Sequence, residues 1–416
     1  VACCRRREVE LESNHPSVPD GRSGLVPICS LRELRFLQDS VEVLTVALMT
    51  VLVMIDGFDP EYVESSPMSN LRQLAKQGFM TEAKAMMPTV TNVNNVSLVT
   101  ASYPEAHGIT SNYWRNREDG KEYYMESGDF ILAENMFQRA TKQGARSLLV
   151  TAKDKLRKLL GEGTTLSVSS EQPPQWVVDG VGEPPPIYSI EVNEWVIDAG
   201  RYILSQEHYD LVYLTTTDYA MHTYAPEEPE SARHIELLDA AIGRLMDSLP
   251  DVQLLVTADH GMSSKGRMIH LPGELASRGI QAQAVPIIKD LYTVHHSNLG
   301  GCIYLYLQES DQEKALEVLR GIDGIDEALP REEAAKKFHL MSGRIGDLMV
   351  LGAPDVVFGD PQEVTMPPTL RSHGSLYEER VPIIGYGSGF DGFEFKENKD
   401  LGRFVFERVL ASSPVR

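Results

Sequence analysis

From Thr50 onward the chain alternates two hydrophobic patterns. Short continuous apolar runs that end in a polar cluster recur at TVLVMID (50–56), RSLLVTAK (146–153), YDLVYLTTTD (209–218), VQLLVTADH (252–260) and RVPIIGYG (380–387). Runs of this length, rich in β-branched residues, are the pattern of strands buried on both faces. Between them, MSNLRQLAKQG (68–78) and SARHIELLDAAIGRLMDSL (231–249) repeat apolar residues at i, i+3 and i+4, which predicts amphipathic helices, with Gly78 as a stop. Strands alternating with helices predict an α/β fold built on a mostly parallel sheet.

The remaining segments read differently. Residues 1–48 contain CCRRRE and several turn formers without the apolar core of a secretory signal. They suit a poorly ordered extension, with Met49 a conceivable natural start, or equally an ordinary segment packed on the core. PPQWVVDGVGEPPP (173–186) is too rich in proline for a helix interior or central strand and reads as a surface excursion. Residues 262–370 run strand, strand, helix, helix, strand through VPIIKD, LGGCIYLYLQ, EKALEVLRGI, REEAAKKF and GDLMVLG, which suggests an inserted α+β cap. The expected division is therefore an extension (1–48), a core (49–261 and 371–416) and a cap (262–370).

Charge narrows the partners. Sixty acidic against 39 basic side chains give a formal charge of −21, which argues against broad binding to nucleic acid or anionic lipid. An anionic ligand would need a local positive site, which bound metal supplies. None of the four cysteines, Cys3, Cys4, Cys29 and Cys302, forms a C-x-x-C pair, so neither a zinc cage nor a disulfide framework is indicated, and a cytoplasmic protein is expected. The most apolar stretch, Val41–Asp56, carries Glu42 and ends in an acid, so it suits a buried strand better than a membrane span.

The metal-compatible side chains fall where the strands end. Asp56, Asp218 and the Asp259-His260 pair each lie at the carboxyl end of a predicted core strand, the edge where open α/β sheets bind ligands. Three carboxylates brought together there repel one another unless a cation offsets them. His222 follows Asp218 by four residues and faces the same way if a helical turn follows the strand. Asp-Gly at 56–57 also suits a simple turn, and His373 in RSHG, taken alone, suits a surface or satisfied core histidine. MMPTVTNVNNVSLVT is rich in hydroxyls and amides and leads into a helix, where a threonine at the N-terminal edge would meet a phosphate; the same residues also cap well.

Taken in order, MIDGFDPEY, PTVTNVNNVSLVT, HGITSN, TTTDYAMHTYAP, VTADHGM and RSHGS resemble the zinc hydrolases of the alkaline phosphatase superfamily, over about Thr50 to Tyr386. The resemblance implies a three-layer core and two zinc ions per chain, one on Asp218, His222 and His373, the other on Asp56, Asp259, His260 and Thr91. It implies Thr91 as nucleophile through a phospho-threonine intermediate, with Asn112 on a phosphonate oxygen and His222 beside the substrate. Lys153 and Lys155 would receive a substrate carboxylate, which points to members that cleave a carbon–phosphorus bond in a small carboxylated phosphonate. Without the resemblance, the two lysines read as a solvated helix start. A phosphodiesterase or nucleotide pyrophosphatase of the same superfamily is the alternative, and a zinc scaffold without turnover is disfavoured by the hydroxyl among the ligands. The implied partner is a small anionic phosphonate, with no nucleic acid or membrane; a homodimer is conceivable.

Overall fold

The computed structural model describes residues 48–249 and 251–411. The extension read at residues 1–48 therefore lies outside the described residues, save Leu48. The main sheet has seven strands: β1 (Met49–Met54), β2 (Phe79–Lys84), β3 (Ser147–Thr151), β4 (Leu166–Ser169), β5 (Leu211–Thr215), β6 (Val252–Thr257) and a last strand, Arg380–Tyr386. Across the sheet the order is β2, Arg380–Tyr386, β6, β1, β5, β3, β4. From β6 to β4 all neighbours are parallel, while Arg380–Tyr386 runs antiparallel to both β6 and β2. All five apolar runs are strands of this sheet. Strands β2 and β4 were not read from the sequence: FMTEAK is largely exposed along one edge, and LSVS is four residues long.

Two helices follow the expected periodicity closely, α1 (Ser69–Gln77), ending at Gly78, and α6 (Pro229–Asp247). With α4 (Val192–Gln206) they form one packed group. A second group joins α2 (Thr91–Thr100), α3 (Asp154–Leu160) and a C-terminal helix, Asp400–Phe404. Strand β3 touches α4 of the first group and α3 of the second, so helices cover both faces of the sheet. The stretch read as a surface excursion instead holds a helix, Gln175–Val181. Its prolines stand outside the helical turns, Pro174 at the N-cap, where a missing N–H costs nothing.

Between β6 and Arg380–Tyr386 the chain forms a second, antiparallel sheet from β7 (Ala282–Pro286), β8 (Cys302–Leu307), β9 (Ile325–Pro330) and β10 (Leu348–Gly352), in the order β7-β8-β10-β9. Helices Gln312–Arg320 and Arg331–Phe338 flank β9, and a separate apolar cluster around Leu275, Leu305, Leu319 and Val350 fills this unit. Strand β9, missed in the sequence, is IDEALP, a sheet-edge segment with a single fully buried position. Cys302 is a buried free thiol. Among the described residues, no helix is long and apolar enough to cross a membrane.

Candidate active site

Sheet order explains the convergence of the carboxylates. Strands β6, β1, β5 and β3 are adjacent and parallel, so their carboxyl ends line one edge with neighbours about 4.8 Å apart. Asp259 and His260 leave β6, Asp56 leaves β1, Asp218 leaves β5 and Lys153 leaves β3. The turn after Asp56 is made by Gly57 at φ +75°, a conformation glycine adopts without cost. Asp218 is the residue before a short helix, α5 (Tyr219–Thr223), which brings His222 Nε2 to 2.9 Å from Asp218 Oδ2.

Among the described residues, two groups of side chains could hold an ion, Asp218, His222 and His373, and Asp56, Asp218 and His260, all buried. Asp218 belongs to both. Asp259 Oδ2 lies 3.5 Å from His260 Nε2, and Thr91 Oγ1 lies 3.5 Å from the same nitrogen. All seven side chains expected to bind metal therefore stand in one buried cluster.

Its chemistry fits cations. Both oxygens of Asp56 and Oδ2 of Asp259 are buried without a hydrogen-bond donor, an arrangement that is costly unless an ion completes it. The histidines are set in the manner of ligands. Nδ1–H of His222 donates to Arg371 O (2.6 Å), that of His260 to Gly261 O (2.9 Å) and that of His373 to Thr89 O (2.6 Å). These bonds fix the tautomer and turn the Nε2 lone pair inward. The rings of His260 and His373 stack 3.6 Å apart, which also demands neutral imidazoles. Burial holds both below the ordinary histidine value. Burial, then the charges of Asp218 and Asp259, raises Asp56. Burial would raise Asp218 too, but Lys153, His222 and His295 outweigh it and hold it well below the usual range.

Thr91 is the first residue of α2, whose ten residues are all buried although six of them are polar. Those side chains are spent on neighbours. Asn92 Nδ2 donates to Met125 O, Asn94 accepts from Met86 N, and Asn95 Oδ1 accepts from Tyr213 OH. The helix is thus anchored on three sides behind Thr91. Asn112 meets it from HGITSN, its Oδ1 accepting the Asn92 N–H at 3.2 Å, which directs the amide nitrogen elsewhere.

Lys153 and Lys155 are not solvated: they are 2% and 4% exposed. Lys153 Nζ lies 2.8 Å from Asp218 Oδ1 and 3.7 Å from Asp56 Oδ2. Burial alone would lower this ammonium, but the carboxylates of Asp218, Asp56 and Asp290 raise it above its ordinary value. Lys155 pairs with Asp290, a partner the sequence reading lacked. Asp290 introduces a segment, residues 290–298, that roofs the site. Tyr292 stands over both ammonium groups at 5.6 and 5.4 Å and donates its hydroxyl to Glu171. His296 Nε2 lies 3.0 Å from Asp290, and His295 Nε2 lies 3.3 Å from Asp218 Oδ1. These residues fall inside the stretch read as an inserted cap (262–370). Three metal-type side chains within DLYTVHH were the available signal.

An α/β sheet with a carboxylate–imidazole cluster at its carboxyl edge, a buried hydroxyl at a helix start and helices on both faces defines a protein of alkaline-phosphatase-like architecture. The model of the type I phosphodiesterase / nucleotide pyrophosphatase family matches residues 50–376, and the chain belongs to this family. Crystal structures of phosphonoacetate hydrolase from Sinorhizobium meliloti 1021, in complex with phosphonoacetate and with phosphonoformate, are similar at 31% identity and a TM-score of 0.80, over 88% of this chain and 96% of theirs. The Xenopus laevis bis(5'-adenosyl)-triphosphatase enpp4 is 25% identical over 82% of this chain and 72% of its own. A venom phosphodiesterase of Naja atra is 27% identical over 51% of this chain and 26% of its own, so the chain spans about a quarter of that relative.

Proposed function

We propose that the chain hydrolyses the carbon–phosphorus bond of phosphonoacetate to acetate and phosphate, with two zinc ions as cofactors and a phospho-threonine at Thr91 as intermediate. One observation carries the choice of substrate: two lysines are buried beside the cluster of candidate metal ligands, Lys153 paired with Asp218 and Lys155 with Asp290. A substrate carboxylate next to the phosphorus would compete for these ammonium groups, and a simple phosphate ester has no such group. The likeness to the Sinorhizobium meliloti enzyme supports the same substrate.

The two cations, held by Asp218, His222 and His373 and by Asp56, Asp259, His260 and Thr91, would supply Lewis acidity and neutralise charge. Thr91 Oγ1 gives up its proton to solvent water and attacks phosphorus. The C–P bond breaks with its electron pair passing to the CH2–carboxylate fragment, where it delocalises as an enediolate and takes a proton from water. Positive charge from Lys153 beside that carboxylate favours the transition state over the ground state, because the charge there grows as the bond breaks. Asn112 offers its amide NH2 to a phosphonyl oxygen. Water then hydrolyses the phospho-threonine and regenerates the hydroxyl.

The family match and the named triphosphatase and phosphodiesterase relatives favour a second reading, cleavage of a phosphodiester or pyrophosphate on the same centre. Turnover of phosphonoacetate, phosphonopyruvate, 2-aminoethylphosphonate and a nitrophenyl phosphodiester, measured side by side, separates the two. The proposal expects phosphonoacetate to lead, with acetate and phosphate released one to one. A diester that leads by an order of magnitude or more would establish the second reading.

A further inference from the structure

The histidines around the centre are not alike. His222, His260 and His373 each spend Nδ1 on a backbone carbonyl and turn Nε2 inward. His296 is spent on both sides, Nδ1 accepting Asn298 N–H and Nε2 meeting Asp290. His295 is buried, and neither of its ring nitrogens has a hydrogen-bond partner. Its ring is boxed by Tyr188 and Tyr219, with centroids 5.7 and 6.2 Å away, and by His222 at 4.9 Å. An imidazole held this firmly, with no hydrogen bond and only the Asp218 carboxylate 3.3 Å from Nε2, is free to take a ligand.

Its position says which ligand. His295 Nε2 and Lys153 Nζ approach the same atom, Asp218 Oδ1, at 3.3 and 2.8 Å. Asp218 also belongs to both groups that could hold a cation. A cation that takes up the Asp218 carboxylate competes with both donors for its lone pairs. Two buried donors so displaced require another anion immediately beside the metal centre. That anion is not the phosphonyl group, which Thr91 must face from the α2 side.

We propose that His295 is a substrate-binding residue that, with Lys153, holds the second anionic group of the substrate, the carboxylate attached to the phosphonyl carbon. The inference rests on the phosphonoacetate reading and makes it more specific. The ligand class is a small anionic molecule whose phosphonyl and carboxylate groups are joined directly or through one carbon. The roof segment is tied by Asp290, Tyr292 and His296, which fixes His295 beside Asp218 and Lys153.

The test is calorimetric titration of the metal-loaded protein with phosphonoformate and, separately, with inorganic phosphate. Wild type, His295→Ala and His295→Gln are compared, with metal content measured on each. The expected result is a roughly ten- to hundredfold weaker phosphonoformate complex in His295→Ala, the size of one charge-assisted hydrogen bond. Phosphate affinity and metal content should stay within about twofold, and His295→Gln, which keeps a donor, should recover part of the loss. Parallel weakening of both ligands, loss of a metal ion, or unchanged phosphonoformate affinity in both variants would each overturn the assignment. If wild type binds phosphonoformate no better than phosphate, the carboxylate reading itself falls and the proposal with it. If wild type discriminates and His295→Ala does so equally, only the role of His295 falls.

Discussion

His222, His260 and His373 each have one nitrogen committed to a carbonyl and one aimed inward, and the Thr91 hydroxyl lies 3.5 Å from His260 Nε2. Replacing Thr91 with alanine removes the attacking atom but one of seven ligating groups. Turnover should fall by about a thousandfold or more while both metal ions remain, as read by steady-state kinetics and elemental analysis of the same sample. Near-normal rates would transfer the nucleophile's role to another group. These residues were legible because each sits at a strand end or helix start, where local pattern and chemistry coincide. Asp218 and His222 needed only a helical turn between them. Asp290 and His295 were not legible, because their importance lies in which distant residues they meet, Lys155 and Asp218, and no local periodicity encodes that. The same applies to Lys155: sequence showed a charge near a helix start, but not the carboxylate that neutralises it.

At the scale of elements, helix α2, which carries the proposed nucleophile Thr91, depends on close approach by the helix Asp400–Phe404. A Cβ at Gly402 would lie 1.7 Å from Leu98 O, so Gly402→Ala must push the two helices apart. Overpacking of this kind costs about 1–3 kcal/mol, and the chemical denaturation midpoint should drop accordingly, with turnover falling as Thr91 shifts. An unchanged midpoint would show that the contact yields easily. The roof makes a second prediction. Tyr292→Ala opens the wall over Lys153 and Lys155, so the ratio of diester to phosphonoacetate turnover should rise; a ratio that stays level in paired assays would mean that Tyr292 does not limit substrate size. Strands β1, β3, β5 and β6 were legible as continuous apolar runs because both of their faces are covered. Edge strands β2 and β9 were not, since one side of an edge meets water and the apolar signal halves. The helix at 175–181 was hidden by flanking prolines that mark its start rather than forbid it.

Over the whole molecule, the net charge of −21 leaves an anionic substrate in need of a local positive site, which under the proposed function bound cations would supply. Acid sensitivity has a separate source. His107, in HGITSN, is pushed down to about 3, mainly by burial, and its Nδ1 accepts the Ile109 N–H while Nε2 faces Ser97 Oγ. The unfolded chain takes up a proton near the ordinary value of 6.5 and the folded one does not. Stability from this group is therefore present above about 6.5 and is lost as pH falls toward 3. Denaturation midpoints should decline between pH 7 and pH 5, and less steeply in His107→Gln; identical slopes would assign the decline to other groups. The alternation of strands and helices carried the architecture in sequence, and the ordered motifs carried the family.

If the strand ends hold two catalytic cations, elemental analysis of purified, active protein, run beside turnover, should find two zinc ions per chain, with Asp259→Asn and His373→Ala each losing at least one ion together with activity. Full turnover in protein that retains one ion or none after chelation would contradict it.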